Sequence, residues 1–211
     1  HNPTGRVLDR AELQAIAEVC CEHDLVCISD EVYEHLVFDG EHLPPATLSG
    51  MARRTLTISS VGKSFSFTGW KIGWCSGPEE LVAAVRTVKQ FLTFAGGTPL
   101  QHAAAAALAL GDEPLRALRE ELRARRDELC GGLRDAGLEP ITPAGTYFVC
   151  ADAGSDAVHF CRALPARCGV VAIPVSAFCD DADAVRTLVR FAFCKRAEVI
   201  AEAAARLATL R

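Results

Sequence analysis

The residues best suited to chemistry lie in one short loop, SSVGKSFSFTGWKIGW, at positions 59–74. The loop is small, polar and glycine-rich, yet it carries Lys63 and Lys71, two of the four lysines in a chain that otherwise uses arginine. A lysine amine forms a Schiff base with a carbonyl carbon when crowding or a nearby positive charge lowers its pKa. Ser60 and Gly62 add a hydroxyl and close backbone access of the kind that binds phosphate. The loop therefore predicts Schiff-base chemistry at Lys63, with a solvated loop lysine as the alternative.

A carboxylate and a phenol form a second candidate group before this loop. Asp30 ends the apolar run LVCISD, and Tyr33 follows three residues later. If a helix begins here, the two side chains lie one turn apart and face one site. The alternative for Asp30 is a helix N-cap or a surface acid.

Arg190 is the third candidate, since it interrupts the apolar segment LVRFAFC. Strand alternation puts Val189, Phe191 and Phe193 on one face and Arg190 on the other. A guanidinium within an apolar strand is costly unless it is paired. Arg190 is therefore either part of an internal ion pair or a bidentate clamp for a substrate carboxylate.

Periodicity and capping signals predict the elements that must position these candidates. Asp9 and Glu12 have capping-box spacing at the start of a helix over about 10–23. Apolar runs without alternation indicate strands covered on both faces, as in a parallel sheet. In the first half, the predicted strands are at 25–30, 55–60 and 71–77, and further helices begin at about 78 and 99.

The first half thus alternates strands and helices in the manner of a doubly wound sheet. Ligands of such sheets bind beyond the carboxyl ends of the strands, which marks Asp30 and the stretch 60–63. From Glu113 to about Leu133, a leucine stripe in a charged sequence predicts a long, half-exposed connecting helix. The short strands and helices after it are typical of a small α+β domain.

Composition argues against several classes of protein. The chain has 211 residues, is 50% hydrophobic and carries a net charge of −5 with both signs interspersed. We expect no nucleic-acid partner because no basic block is present, and no membrane span because the apolar runs are too short. The ten cysteines lie mostly singly in apolar or helical stretches and form no CxxC pair. We expect small buried side chains in a reducing cytosol, not disulfides or a metal site.

Five motifs occur in the order and spacing of a known family. They are NPTG at 2–5, SDEVYE at 29–34, SSVGKSFSFTGWKIGW at 59–74, GTYFVCAD at 145–152 and VRFAFCK at 189–195. Together they resemble the fold-type-I, class I/II aminotransferases that depend on pyridoxal 5'-phosphate. The resemblance extends over essentially the whole chain, and five motifs in order are far more specific than any one of them.

The resemblance implies catalytic roles for Lys63, Asp30 and Tyr33. Lys63 would bind the cofactor aldehyde covalently and, once substrate displaces it, would move the proton between the substrate Cα and C4′ of the cofactor. Asp30 would pair with the pyridine nitrogen and keep it protonated. Asn2 and Tyr33 would bond the phenolic oxygen of the ring.

The resemblance also implies which residues hold the two anionic groups. Ser60 and Lys71 would hold the cofactor phosphate. Lys71 stands where many relatives have arginine, so the grip on phosphate is expected to be weaker, although kynurenine and glutamine aminotransferases share this lysine. Arg190 would bind the α-carboxylate of the substrate, with Asn2 as a further substrate-binding residue.

The implied fold is α/β: the C-terminal part of a doubly wound, mainly parallel cofactor-binding sheet, followed by a small α+β domain. We expect residues 1–112 to belong to the large domain and 113–211 to form the connecting helix and the small domain. Since the family's chains are considerably longer and this one opens on turn residues, we expect a C-terminal half. That half alone should bind cofactor poorly and turn over little.

The implied activity is amino-group transfer between an amino acid and a 2-oxo acid, with 2-oxoglutarate as the expected acceptor, by a cytoplasmic homodimer. The motifs DEVYEHLVFDGEHLP and VSAFCD are most similar to actinobacterial N-succinyl-diaminopimelate aminotransferases. Kynurenine, glutamine or methionine aminotransferases and cysteine-S-conjugate β-lyases are the alternatives within the family. Outside it, an effector domain of a transcription regulator or a truncated chain with a partner-binding role stays open.

Overall fold

The computed structural model describes residues 1–210, which form two compact units with a sheet in each. We call them the lysine unit and the arginine unit, because they contain Lys63 and Arg190 respectively. The lysine unit comprises residues 8–37 and 41–118. The arginine unit comprises residues 1–7, 38–40 and the residues from 119 onward. The assignment of 1–112 to a large domain and 113–211 to a small domain stays a prediction.

The lysine unit combines a three-stranded sheet with helices. Its strands are β1 (Cys27–Asp30), β2 (Thr55–Ser60) and β3 (Gly73–Ser76), and its helices are α1 (Arg10–Glu22), α2 (Val61–Ser64), α3 (Glu79–Leu92) and α4 (Thr98–Leu108). The strand order is β1-β2-β3, with β1 parallel to β2. The predicted α/β class is confirmed, and the strands lie within the predicted spans.

The β3 strand is the antiparallel member of this sheet, since it pairs antiparallel with β2. The two strands are joined only by α2 and a short 3-10 turn, and the chain reverses there instead of crossing back over the sheet. The register pairs Ser60 with Gly73. A Cβ at Gly73 would lie 2.8 Å from the carbonyl oxygen of Ser59, so this close pairing requires glycine.

Helix α1 begins at the predicted capping box. The Asp9 carboxylate accepts a hydrogen bond from the Glu12 amide at 2.9 Å, and the Glu12 carboxylate accepts one from the Asp9 amide at 2.9 Å. The buried residues of its apolar stripe form a core cluster with two residues that precede β2. The cluster comprises Leu13, Ala17, Cys20, Leu48 and Met51.

The outer face of β1 is exposed, contrary to the prediction of a strand covered on both faces. Val26 and Ile28 expose 54% and 68% of their surface. The strand lies at the edge of its sheet, and the described residues do not cover the side on which Ile28 lies. An unalternating apolar run therefore did not by itself indicate burial within this chain.

The arginine unit is built on a four-stranded antiparallel sheet in the order β4-β5-β7-β6. Its strands are β4 (Glu139–Ile141), β5 (Phe148–Asp152), β6 (Ile173–Pro174) and β7 (Leu188–Ala192). Its helices are α6 (Ala157–Cys168), α7 (Ala197–Leu207) and the part of α5 (Glu113–Asp135) from Arg119 onward. The mixture of helices and antiparallel strands agrees with the α+β character predicted for the second half.

The core of the arginine unit includes the predicted apolar face of β7. Val189, Phe191 and Phe193 are at most 3% exposed, which agrees with the predicted apolar face, and Arg190 between them is buried as well. Helix α5 approaches α7 so closely that a Cβ at Gly132 would lie 2.7 Å from the Cα of Ala204. The strand face and the helix contact thus bury the interior of this unit.

The cysteines are free, but they are not uniformly buried. Cys20, Cys130 and Cys150 are buried, whereas Cys21, Cys179 and Cys194 are exposed. The expectation of small core side chains is therefore wrong for the exposed group, because these residues lie off the apolar stripes. Among the described residues, no helix combines the length and the apolar character that crossing a membrane requires.

Candidate functional site

Asp30 and Ser60 lie at the same edge of the lysine unit's sheet. Because β1 and β2 run parallel, their carboxyl ends meet there, with Asp30 aligned to Ile58. Strand alternation places Asp30, Ile58 and Ser60 on one face. The exposed Asp30 carboxylate accepts a hydrogen bond from the Val32 amide at 3.3 Å. This edge of the sheet thus carries a carboxylate and a hydroxyl, two of the groups that the predicted chemistry requires.

The segment after Asp30 is a turn, not the helix on which the pairing with Tyr33 was based. The Glu34 amide donates to the Glu31 carbonyl, and the Leu36 amide donates to the Tyr33 carbonyl, so the bonds span three residues instead of four. Tyr33 is half-buried in this turn. It lies close to Asp30 along the chain, but helical spacing does not align the two side chains.

Lys63 lies in α2, the single helical turn that follows β2 directly. Two contacts of Gly62 hold this turn against the next segment. The Thr68 hydroxyl donates to the Gly62 carbonyl at 2.9 Å, and a Cβ at Gly62 would lie 3.3 Å from the Thr68 Cα. Lys63 is half-buried, and the fully buried Val61 anchors the start of the turn. The amine is therefore carried by an ordered strand end instead of a long free loop.

Lys71 lies in the segment that leads back to the end of β2. It follows the 3-10 turn Thr68–Trp70 and has a φ of 55°, a left-handed conformation that costs a lysine of order 1 kcal/mol. The Val61 amide donates to the carbonyl of Ile72 at 3.2 Å, which fixes the segment beside α2. The exposed Lys71 and the half-buried Lys63 are thus carried by adjacent segments.

Arg190 lies in β7 and contacts the start of the chain. Its Nη1 donates to the Asn2 Oδ1 at 2.6 Å, across 188 residues. Its guanidinium carbon lies 4.0 Å from the ring centroid of Phe148 and 4.2 Å from that of Phe178. Arg190 is only 9% exposed, so these aromatic contacts offset part of its desolvation. A guanidinium held in this way is preorganised for a planar carboxylate.

Cys150 is the β5 residue that pairs in register with Arg190. Its thiol contacts the Pro3 carbonyl oxygen at 3.3 Å. Burial raises the pKa of Cys150, and the positive charge of Arg190 acts in the opposite direction with a smaller effect. The thiol therefore stays neutral at pH 7 and does not compete with a carboxylate for Arg190.

The predicted site residues fall into two groups. The lysine unit carries Asp30, Tyr33, Ser60, Lys63 and Lys71, and the arginine unit carries Asn2 and Arg190. The Asn2–Arg190 contact had not been predicted. The individual roles of these residues, and one site that combines the two groups, stay predictions.

The sequence reasoning missed a network of polar side chains beside Asp30. The carboxylate oxygens of Glu31 and Glu34 and a ring nitrogen of His42 all lie within 4.8 Å of one another. Glu31 and Glu34 stand in the SDEVYE motif, directly after the two residues that were singled out, so the signal was present. His42 could not be found in the same way, because only the fold brings it to Glu31.

Comparison with known proteins gives a family match over nearly the whole chain. A family model described as aminotransferase class I and II matches residues 1–207. A probable N-succinyldiaminopimelate aminotransferase of Mycobacterium tuberculosis is 53% identical over 223 aligned residues. Kynurenine–oxoglutarate transaminase 3 of Rattus norvegicus is 44% identical over 219 aligned residues.

Solved structures give the same result at the level of the fold. The N-succinyldiaminopimelate aminotransferase of Mycobacterium tuberculosis has a TM-score of 0.97 at 55% identity, over 100% of this chain and 56% of the other. The Escherichia coli protein YbdL, described with a methionine aminotransferase function, has a TM-score of 0.93 at 37% identity, over 100% and 57%.

The chain spans about half the length of the curated relatives it matches. It is aligned over its full length with 56% of the mycobacterial protein, and 93% of it with 48% of the rat protein. The prediction that the matched part is the C-terminal half stays a prediction.

Proposed function

Because the chain belongs to the aminotransferase class I and II family, we propose that it carries the cofactor-linking part of a pyridoxal 5'-phosphate-dependent aminotransferase. The observation that carries the proposal is the placement of Lys63 in the turn directly after β2, at the edge of the sheet where β1 ends in Asp30. A nucleophilic amine and a carboxylate are thereby held at adjacent parallel strand ends, where α/β sheets bind ligands.

The side chains of the lysine unit fit this cofactor. Bound pyridoxal phosphate supplies an aldehyde that takes up the amino group and an aromatic ring that withdraws electrons. The primary amine of Lys63 suits the aldehyde, and the Asp30 carboxylate suits a protonated ring nitrogen. The Ser60 hydroxyl and the Lys71 ammonium suit the phosphate. Close backbone contacts at Gly62 and Gly73 keep the segments around these groups compact.

In the proposed reaction, the chain's own residues move one proton and hold charges in place. The freed amine of Lys63 would take the proton from the substrate Cα and deliver it to C4′ of the cofactor. Asp30 would stabilise the protonated ring nitrogen through its opposite charge. The Tyr33 hydroxyl would donate a hydrogen bond to the phenolic oxygen of the ring. These three roles require only an amine, a carboxylate and a hydroxyl, which Lys63, Asp30 and Tyr33 carry.

We assign substrate recognition to the arginine unit. Arg190, aligned by Phe148 and Phe178, binds the substrate carboxylate with two parallel hydrogen bonds. The Asn2 Oδ1 accepts one guanidinium hydrogen bond and so restricts the orientation of the Arg190 side chain. This arrangement suits any α-amino acid and does not by itself select the distal part of the substrate.

N-succinyl-diaminopimelate is the amino donor we propose first, with 2-oxoglutarate as acceptor. The support is the identity of 53% with the mycobacterial protein described as a probable N-succinyldiaminopimelate aminotransferase. Kynurenine is the second candidate donor, supported by the identity of 44% with the rat transaminase. We further propose that the full-length protein is a cytoplasmic homodimer. The ten free cysteines favour the reducing compartment in this proposal.

The central test is covalent labelling of Lys63 in the natural full-length protein. After incubation with pyridoxal phosphate and reduction with borohydride, peptide mass spectrometry should find the pyridoxyl group on Lys63. The Lys63→Ala variant should lose both the label and the visible absorbance of bound cofactor. Lys89→Ala, which changes an exposed lysine of α3, serves as the control and should keep both. Label on another lysine, or on none, would overturn the proposal.

The substrate assignment has a separate test. The full-length protein is incubated with cofactor, 2-oxoglutarate and a panel of amino donors, and glutamate is measured. Fastest glutamate formation from N-succinyl-diaminopimelate supports the first candidate, and fastest formation from kynurenine supports the second. No glutamate from any donor would overturn the transaminase assignment and leave the β-lyase and the two non-enzymatic interpretations.

A further inference from the structure

A polar network lies on the face of β2 opposite Ser60 and links the turn after β1 to that strand. A Glu31 carboxylate oxygen lies 2.5 Å from the His42 Nε2, and the other accepts from the Thr57 hydroxyl at 3.3 Å. The Ser59 hydroxyl donates to the Glu34 carboxylate at 2.5 Å. We call Glu31, Glu34 and His42, with their strand partners Thr57 and Ser59, the Glu–His clamp. The whole clamp lies within the lysine unit.

The clamp is interleaved with the proposed cofactor-binding residues. Glu31 follows Asp30 and Glu34 follows Tyr33, while Ser59 directly precedes Ser60. Since side chains alternate along a strand, Thr57 and Ser59 lie on one face of β2 and Ser60 on the other. The Glu31 amide also donates to the Ile58 carbonyl at 2.8 Å, which extends the β1–β2 ladder past Asp30. One face of the strand end therefore carries the clamp, and the other carries Asp30 and Ser60.

The clamp is too buried to be an incidental surface contact. The Glu31 side chain is 3% exposed and the His42 side chain 27%. A buried carboxylate without a partner costs several kcal/mol, so the bonds to His42 and Thr57 are needed to keep Glu31 in place. We assign the donor role in this pair to the His42 Nε2, the arrangement that suits a carboxylate acceptor. Loss of that donor would leave Glu31 without its closest partner.

We propose that the Glu–His clamp positions Asp30 and Tyr33 for the cofactor, with Glu31, Glu34 and His42 as positioning residues that do not touch it. This inference rests on the proposed function. Asp30 directly precedes the turn of residues 31–34 and Tyr33 lies within it. The clamp bonds this turn to β2 through Glu31 and Glu34, one on each side of Tyr33 in the sequence. Loosening the clamp frees the turn to shift, which moves the Asp30 carboxylate away from the ring nitrogen.

The first test removes the His42 donor from the natural full-length protein. His42→Ala should weaken pyridoxal phosphate binding about tenfold, the equivalent of one lost hydrogen bond to a charged group. It should also change the visible circular dichroism of the bound cofactor, a signal that depends on ring orientation and not on stability. His42→Gln, which keeps an N–H donor, should recover part of both signals. His102→Ala, which changes an exposed histidine of α4 in the same unit, is the control and should change neither.

A second variant covers the case in which His42→Ala does not fold. Ser59→Ala removes one hydroxyl and leaves Glu31 and His42 in contact, so it should fold and give a smaller effect in the same direction. Affinity and dichroism equal to those of His102→Ala, in either clamp variant that folds, would overturn the positioning role. If a chelator reproduces the His42→Ala effect in the natural protein, a metal ion and not the hydrogen bonds holds these side chains, which also overturns it.

Failure of the clamp and failure of the proposed function give different results. If the natural protein is not labelled at Lys63 after borohydride reduction, the proposed function fails and the clamp role falls with it. If the natural protein is labelled and the clamp variants keep its affinity and dichroism, only the clamp is overturned.

Discussion

At the scale of single residues, Arg190 is the proposed carboxylate-binding group of the arginine unit. It is nearly buried, stacked between two phenyl rings, and bonded to an asparagine from the other end of the sequence. An arginine that only supplied a positive charge would not need to be buried against two aromatic rings. Two aromatic faces restrict the guanidinium plane, so little orientational entropy is lost when a carboxylate binds.

Substitution of Arg190 should therefore affect substrate affinity more than cofactor binding. In the natural full-length protein, Arg190→Ala should raise KM for the amino donor at least about tenfold, as expected for losing a charged hydrogen bond, and leave bound pyridoxal phosphate in place. Steady-state kinetics and the visible spectrum provide the measurement. Arg162→Ala, an exposed arginine of α6 in the same unit, is the control. An unchanged KM would show that Arg190 has only a structural role.

At the scale of elements, the stability of the arginine unit depends on how closely α5 and α7 approach. Two neighbouring glycines of α5 test this packing, because they differ in what surrounds them. Gly132 faces the backbone of Ala204, whereas nothing lies within 4 Å of a Cβ at Gly131.

The two alanine substitutions should have opposite effects on unfolding. Gly132→Ala should destabilise by about 1–3 kcal/mol, because overpacking exceeds the gain in helix propensity. Gly131→Ala should stabilise by up to about 1 kcal/mol through propensity alone. Urea unfolding followed by circular dichroism compares them directly. Equal effects would mean that the helices separate easily at this point.

A second element-scale feature is the N-cap of α6. The Asp156 carboxylate accepts a hydrogen bond from the His159 amide at 2.9 Å, and Arg186 lies 3.4 Å away. The backbone hydrogen bond from His159 has the largest effect on the pKa of Asp156. Together with the smaller effect of Arg186 it outweighs desolvation and holds this pKa below its ordinary value of 3.8.

The ionised form of Asp156 should therefore stabilise the fold only above acidic pH. Because the folded pKa is lowered, the stabilisation is complete above the unfolded pKa and is lost as pH falls through the folded pKa. Asp156→Asn keeps a cap acceptor but no charge. It should melt below the natural protein at pH 7, and this gap should close under strongly acidic conditions. A gap that does not change with pH would contradict the assigned cause.

At the scale of the whole molecule, the described residues leave large apolar side chains exposed on the lysine unit. Phe91 is 82% exposed and Phe94 is 83% exposed, at the end of α3 and just beyond it. Together with Ile28 on β1, they give this unit more exposed apolar surface than a solvated helix face requires.

The 211-residue chain expressed by itself should therefore bind a hydrophobic dye and self-associate. Replacing Phe91→Ser and Phe94→Asn together should reduce both, with little change in melting temperature, because neither ring is buried. Asparagine suits position 94, where φ is 56°. Dye fluorescence and light scattering are the measurements, with Arg86→Gln on the same helix as the control. If self-association did not decrease, surfaces other than Phe91 and Phe94 would be responsible for it.

The sequence by itself determined the class of fold, the family and many of the helices and strands. The capping box of α1, the strand TLTISS and the buried face of β7 follow from spacing between neighbours along the chain, and local geometry decides such features. The order of five motifs identified the family, because motif order can be read from the sequence without any knowledge of contacts.

The tertiary structure alone decided the contacts that orient these residues. Asn2 meets Arg190 and Glu31 meets His42 only after the chain folds back on itself, and no local period encodes such closures. The antiparallel direction of β3 was likewise decided by its pairing with β2. The outer face of β1 is exposed because no described residues cover it. Local sequence specifies the chemistry a residue can perform, whereas long-range closure specifies which groups it faces.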